Sequence, residues 1–154
     1  MADITKRIDI NVGTPCNANC IFCYYSQSVS EKKPGFSTEE VKKLLRFAKR
    51  RGMKIAEFTG GEPTIRKDII DLVHYAKQLG FESVSMITNG LALNREGFAK
   101  KLVEAGVDDF LFSIHGASNS VHDELVGVQG GFNKIVAAIK IVRDSGAKIR
   151  VNTV

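Results

Sequence analysis

The sequence predicts an α/β fold built on a parallel sheet, and three observations carry that prediction. Five strand-like apolar runs, residues 8–12, 55–59, 83–88, 110–114 and 148–154, recur along the chain. Four segments of helical periodicity lie between them, so β and α units alternate. Each helical segment closes on a glycine that suits the position just past a helix: Gly52, Gly80, Gly106 and Gly146. No linker or low-complexity stretch interrupts the 154 residues, so the chain reads as one domain over residues 1–154.

The elements carry their own punctuation. The first run leads into a loop that holds all the cysteines. Ser37 and Glu40 then form a capping box ahead of an apolar stripe of Val41, Leu44, Leu45 and Ala48. The second helix starts near Asp68 and turns Ile69, Leu72, Val73 and Ala76 inward. Asn94 is the expected cap of the third, whose buried face is Phe98, Leu102 and Ala105. Phe132, Ile135, Val136, Ile139 and Val142 stripe the fourth. The last run places Ile149, Val151 and Val154 on one alternating face and Arg150 and Asn152 on the other, which predicts an open sheet edge.

Composition bounds the partners. With 44% hydrophobic and 25% charged residues the chain is an ordinary globular composition. No apolar run has the length of a membrane span and the first residues, Met-Ala-Asp-Ile-Thr-Lys-Arg, form no secretory signal, so a cytoplasmic location is expected. The net charge of +5 is spread along the chain. Its densest group, Lys42, Lys43, Arg46, Lys49, Arg50 and Arg51, falls mostly on a solvated helix face, so neither a nucleic-acid nor a membrane partner is expected.

Cys16, Cys20 and Cys23 are the three cysteines, and all fall within eight residues. An odd count without a secretory signal argues against a disulfide framework. A zinc site would need a fourth ligand from His74, His115 or His122, none of which stands at a local finger spacing. Three thiolates on one short loop can instead hold three corners of a cubane iron–sulfur cluster, leaving one iron open.

The other unusual motifs all sit where the cysteines do, at the carboxyl end of a predicted strand. Gly60-Gly61-Glu62-Pro63 follows the second, Thr88-Asn89-Gly90 the third, and Ser113-Ile114-His115-Gly116 the fourth. Barrels and open α/β sheets bind ligands at that edge. Four motifs thus converge on one predicted pocket. Gly60 and Gly61 would let backbone approach a ligand closely, or form a plain tight turn.

With the Cys-x-x-x-Cys-x-x-Cys spacing, Phe22 before its last cysteine, and the Gly-Gly-Glu-Pro turn in order and in strand context, residues 8–154 resemble the radical S-adenosylmethionine (radical SAM) enzymes. The branch they most resemble contains the molybdenum-cofactor GTP cyclase, the pyrroloquinoline-quinone (PQQ) synthesis protein and the anaerobic sulfatase maturases. The resemblance implies a parallel-stranded partial (βα) barrel. It also implies a [4Fe–4S] cluster on Cys16, Cys20 and Cys23, with S-adenosylmethionine chelated at the open iron. Reductive cleavage of that cofactor would give methionine and a 5′-deoxyadenosyl radical that abstracts hydrogen from a substrate, for which a peptide is preferred over a small metabolite. An electron donor resembling flavodoxin or ferredoxin is the implied partner.

The same resemblance implies cofactor contacts. Gly60, Gly61 and Glu62 would bind the methionyl amino group. Phe22 would pack against adenine, or support the loop as a core residue. Ser113 would face the ribose, or merely end a strand. Thr88 and Asn89 are similar candidates, although Asn-Gly is also a turn pair. Asn152 points into the pocket or ends a pleat.

Two departures qualify the match. Relatives often read Ser-x-Asp-Gly where this chain has His115 in place of the aspartate, and no arginine stands near Leu125 and Val126 to meet the cofactor carboxylate. The pattern stops after five strands and four helices, before a sixth unit and without the cysteine cluster of an auxiliary-cluster domain. A fragment of a longer enzyme is the expected explanation, with self-association through the last strand second. The competing functional class is a non-catalytic iron–sulfur fragment or electron-transfer module.

Overall fold

The computed structural model describes residues 6–27, 35–95 and 97–154. Five parallel strands form one sheet in sequential order: β1 (Arg7–Asn11), β2 (Ile55–Thr59), β3 (Ser83–Thr88), β4 (Asp109–Ser113) and β5 (Lys148–Asn152). The helices are α1 (Thr38–Arg50), α2 (Ile69–Gln78), α3 (Phe98–Ala105), α4 (Asn119–Val126) and α5 (Gly131–Asp144), with a short 3-10 turn at Pro63–Ile65. Right-handed crossovers between strands in sequential order put the covering helices on one face, as in a barrel wall. The other face is left bare.

That asymmetry explains the strand sequences. Residues that point toward the helices are apolar and sealed: Ile10, Ala56, Phe58, Val84, Met86, Phe110 and Phe112 are at 0% exposure, against the inward stripes of α1, α2, α3 and α5. Each of these side chains larger than Ala56 contributes about 1.5–3 kcal/mol by its burial. The opposite, inner face is mostly polar, with Ile55, Ile87 and Leu111 as its apolar members. There Glu57 accepts from Arg7 Nη1 (3.2 Å), Arg150 Nη2 (2.9 Å) and Ser85 Oγ (3.0 Å), while Arg150 Nε reaches Asp109 (2.8 Å). This network ties β1, β2, β3, β4 and β5 together across the bare face. Replacing Glu57 with Ala should cost about 2 kcal/mol, read as a lower melting temperature, because two half-exposed guanidinium groups lose a buried partner but can rehydrate.

The α1 capping box is formed: the Glu40 N–H donates to Ser37 Oγ (3.2 Å) and the Ser37 N–H to Glu40 Oε2 (2.7 Å). Two helix expectations change. The cap of α3 is Gly97 at φ 74°, and Asn94 lies in the turn before it. A fifth helix, α4, occupies the stretch between β4 and α5 that periodicity left as loop. It is only eight residues long and has no full apolar stripe, but its ends were marked: Ser118 caps it and Gly127 follows it at φ 65°. At β5 the outward Val151 is 55% exposed and Val154 79%, so the open edge is present among the described residues.

Candidate functional site

The loop that leaves β1 is stitched to the loop that leaves β2. The Gly61 N–H donates to the Gly13 carbonyl (2.7 Å) and the Glu62 N–H to the Pro15 carbonyl (2.9 Å). The approach leaves no room for side chains. A Cβ on Gly61 would collide with the carbonyl oxygens of Thr14 and Pro15, and one on Gly60 with the Gly13 carbonyl. Gly60 also sits at φ +132°, which L side chains rarely adopt. The missing Cβ atoms therefore admit the neighbouring chain, where the sequence suggested a ligand. Among the described residues the carbonyls of Gly60 and Gly61 themselves accept no hydrogen bond.

Glu62 is buried, and its carboxylate faces inward to the protein. Oε1 accepts from Thr64 N (3.0 Å), Thr64 Oγ1 (2.6 Å) and Thr88 Oγ1 (2.7 Å), and Oε2 from the Asn89 N–H (2.7 Å). Burial pushes its pKa up while these donors pull it back. Asn89 extends the clasp to the cysteine loop, donating from Nδ2 to Asn17 Oδ1 (2.8 Å) and toward Cys16 Sγ (3.7 Å). Glu62, Thr88 and Asn89 thus join three loops: the Glu62 carboxylate takes the Thr88 hydroxyl and the Asn89 backbone N–H, and the Asn89 side chain reaches the cysteine loop.

The cysteine loop rests at its other end on α4. The Asn19 N–H donates to the Val126 carbonyl (2.9 Å) and the Ile21 N–H to the Leu125 carbonyl (3.0 Å). These are two of the carbonyls that a helix terminus leaves without intrahelical partners. The preceding turn of α4 supplies Asp123, which accepts the Gly130 (2.6 Å) and Phe132 (2.8 Å) N–H groups at the start of α5. Those contacts hold its pKa below the usual carboxylate range. His122, also on α4, accepts the His115 backbone N–H on Nδ1 (3.1 Å). The sequence reading missed these platform residues. The Ser118 and Gly127 bracket was the signal that could have found them.

All three thiols are free and half-buried. Burial, then the neighbouring Cys16 and Cys23, push the Cys20 pKa up to about 11, and burial raises that of Cys16. Both are therefore protonated at neutral pH, and binding a metal centre must expel those protons. Among the described residues no three His, Cys, Asp or Glu side chains are gathered tightly enough to share one metal ion. A cubane cluster takes each thiolate on a different iron, so the spread of this donor set fits a cluster better than a mononuclear zinc. Iron loading during anaerobic reconstitution should fall steeply as pH drops from about 8.5 to 6.5, by up to about tenfold in affinity per pH unit per thiol. Iron content measured across that range checks this, and pH-independent loading would contradict it.

The remaining predicted residues divide. Ser113 and His115 line the cavity that the cysteines, Gly60, Gly61 and Thr88 share. Phe22 lines it too, but it is 38% exposed and sets its edge on His115 (centroids 4.6 Å apart, 76° between planes), so it is not a core residue. Asn152 stands beside Ser113 in the β4–β5 ladder, exposed and outside the cavity wall, where its carbonyl accepts the Ile114 N–H (3.0 Å).

The profile of the Radical SAM superfamily matches residues 10–154. A probable GTP 3′,8-cyclase from Saccharolobus solfataricus is 34% identical over 141 residues, covering 92% of this chain and 44% of that protein. One from Metallosphaera sedula is 32% identical over 140 residues, covering 90% and 43%. The chain therefore spans less than half the length of these curated relatives. Among solved structures, Streptococcus suis SuiB bound to precursor peptide SuiA superposes with a TM-score of 0.81 at 22% identity, covering 97% of this chain and 33% of that one. Native anSMEcpe with bound AdoMet gives 0.75 at 21% identity, covering 94% and 42%. With a family profile spanning nearly its whole length and a strand edge built from that family's motifs, the chain belongs to the radical SAM superfamily.

Proposed function

We propose that this chain is the radical-generating core of an enzyme, in which Cys16, Cys20 and Cys23 hold a [4Fe–4S] cluster and S-adenosylmethionine binds beside it. The observation that carries the reading is the junction of the two loops. The same cavity is lined by three free thiols and by the turn whose Gly60 and Gly61 carbonyls have no partner among the described residues. When bound, the cluster and S-adenosylmethionine would supply reductive cleavage of a sulfur–carbon bond and a 5′-deoxyadenosyl radical for hydrogen abstraction.

The chain's own residues would do the positioning. The carbonyls of Gly60 and Gly61 are the acceptors for the cofactor's ammonium group. Glu62, Thr88 and Asn89 hold that turn and the cysteine loop in fixed relation, and α4 supports the loop from the other side. Phe22 and Ser113 border the space left for the nucleoside. Asn152 lies at its margin, available to a ligand that extends past Ser113. The core is proposed to work in the cytoplasm with a flavodoxin- or ferredoxin-like electron donor.

For the substrate, a peptide is the first reading, since the superposed SuiB is bound to a precursor peptide. A nucleotide is the second, favoured by the probable GTP 3′,8-cyclases among the relatives. Anaerobic reconstitution followed by a cleavage assay tests the core reading. About four irons per chain, lost in Cys20→Ala, and 5′-deoxyadenosine formed with a reductant are expected. Full iron with no effect of S-adenosylmethionine on the reduced cluster's spectrum would favour an electron carrier. Stoichiometric zinc without cluster uptake would sink both.

A further inference from the structure

Cys20 sits in a backbone frame supplied by α4. The N–H groups on either side of it, those of Asn19 and Ile21, are taken by the Val126 and Leu125 carbonyls at the carboxyl end of that helix (2.9 and 3.0 Å). Helix and loop meet with no room to spare. A Cβ at Gly127, which follows α4 at φ +65°, would stand 2.9 Å from the Asn19 carbonyl oxygen and 3.2 Å from Asn19 Cβ. A side chain at Gly127 would therefore push the Asn19 backbone off the helix end.

The contact also decides where the loop's donors point. The Cys23 N–H is turned to the Cys20 carbonyl (3.1 Å) and the Ser26 N–H to the Cys23 carbonyl (3.1 Å), so these groups too are directed away from sulfur. Among the described residues Cys16 Sγ receives the Ala18 N–H (3.4 Å) and Asn89 Nδ2 (3.7 Å), whereas Cys20 Sγ receives no donor from another residue. The end of α4 that faces this stretch is the negative end of its dipole. Hydrogen bonds to sulfur stabilise the extra negative charge of a reduced iron–sulfur cluster and raise its potential. Donors withheld, and a negative dipole end beside the ligand, lower it.

We propose that α4 lowers the reduction potential of a cluster held by Cys16, Cys20 and Cys23, by keeping the Asn19 and Ile21 N–H groups on its own carbonyls and off the sulfur of Cys20, with Gly127 as the positioning residue that lets helix and loop close. The proposal rests on the cluster reading above. A single electron is at stake, and no proton or ligand moves with it. The lower potential makes the reduced cluster the stronger one-electron donor, which reductive cleavage of a sulfur–carbon bond requires.

Two variants separate this role from general support. Asparagine tolerates the left-handed backbone, so Gly127→Asn acts mainly through the collision of its Cβ with Asn19. Gly130 stands at φ +73° and its Cβ would meet nothing within 4 Å, so Gly130→Ala carries backbone strain without the collision. The readout is a redox titration of the anaerobically reconstituted full chain without S-adenosylmethionine, followed by the spectrum of the reduced cluster, with iron content and melting temperature as controls. At a fixed potential Gly127→Asn should raise the ratio of reduced to oxidised cluster about tenfold, an upward shift of about 59 mV for one electron, with iron content kept. Gly130→Ala should change that ratio less than about twofold, since no donor is released. An unchanged or lowered potential in iron-loaded Gly127→Asn, or an equal rise in Gly130→Ala, would overturn the proposal. Loss of the cluster or of the fold in Gly127→Asn would make the contact a support for the loop alone, and overturns it too. A parent protein that takes up no cluster is the failure of the cluster reading instead, and takes this proposal with it.

Discussion

Gly61→Val should abolish cluster assembly and destabilise the protein by at least about 3 kcal/mol, the largest single effect expected in this fold. The cause is chain against chain. A side chain at Gly61 enters the space held by the Thr14 and Pro15 carbonyl oxygens, and backbone has no rotamer by which to retreat. Relief requires breaking the two hydrogen bonds that fix the β1 loop, from Gly61 to Gly13 and from Glu62 to Pro15. Cys16 follows Pro15 directly, so the first cluster ligand moves with them. Gly61→Ala should lose the cluster as well, since Cβ alone collides. Gly52→Ala is the control: its Cβ would meet nothing within 4 Å, and only the strain of φ +78° remains, worth about 1 kcal/mol with iron uptake unchanged. Iron content and melting temperature decide the matter. A Gly61→Val protein that keeps its cluster and its melting temperature but loses S-adenosylmethionine binding would show instead that the glycine admits a ligand.

How much of this was legible in the sequence depends on the distance over which each signal acts. Strand positions and the Ser37–Glu40 box came through because alternation and capping are local. The starts of β2, β3 and β5 came through as well, and those of β1 and β4 were each missed by one residue. β1 opens on Arg7 and β4 on Asp109, polar residues that look like loop until Glu57 and Arg150 are seen to hold them, from 50 and 41 residues away in the chain. The motif residues were legible as a group but not in their roles. Thr88 and Asn89 meet Glu62 from 26 and 27 residues away, so sequence assigned all three to a ligand while in the structure the Glu62 carboxylate accepts from the Thr88 hydroxyl and the Asn89 backbone N–H. The platform α4 was missed for a different reason. Its work is done by the Leu125 and Val126 carbonyls, and backbone acceptors leave no trace in residue type.

The Glu62 clasp yields the second large expectation. Glu62→Ala strands the donors of Thr64, Thr88 and Asn89 at a site that is 2% exposed, and should cost about 2–4 kcal/mol, roughly 4–16 °C in melting temperature for a chain of this size. Glu62→Gln discriminates more finely. Three donors converge on Oε1 and one on Oε2, so the amide must turn its oxygen to the Thr64 and Thr88 side and its nitrogen toward the Asn89 N–H. Donor then faces donor at Asn89, and the expected loss is about 1–2 kcal/mol. Asn89 is also the residue that reaches Asn17 and Cys16. Freed at its backbone, it should position the cysteine loop less well, so the Gln variant should fold yet reconstitute more slowly and with less iron. Parallel measurement of melting temperature and iron uptake tests this ordering. If Gln matches the parent in both while Ala fails only in stability, Glu62 merely fills space, and the link from the Gly-Gly-Glu-Pro turn to the cluster loop must run through the backbone hydrogen bonds of Gly61 and Glu62 alone.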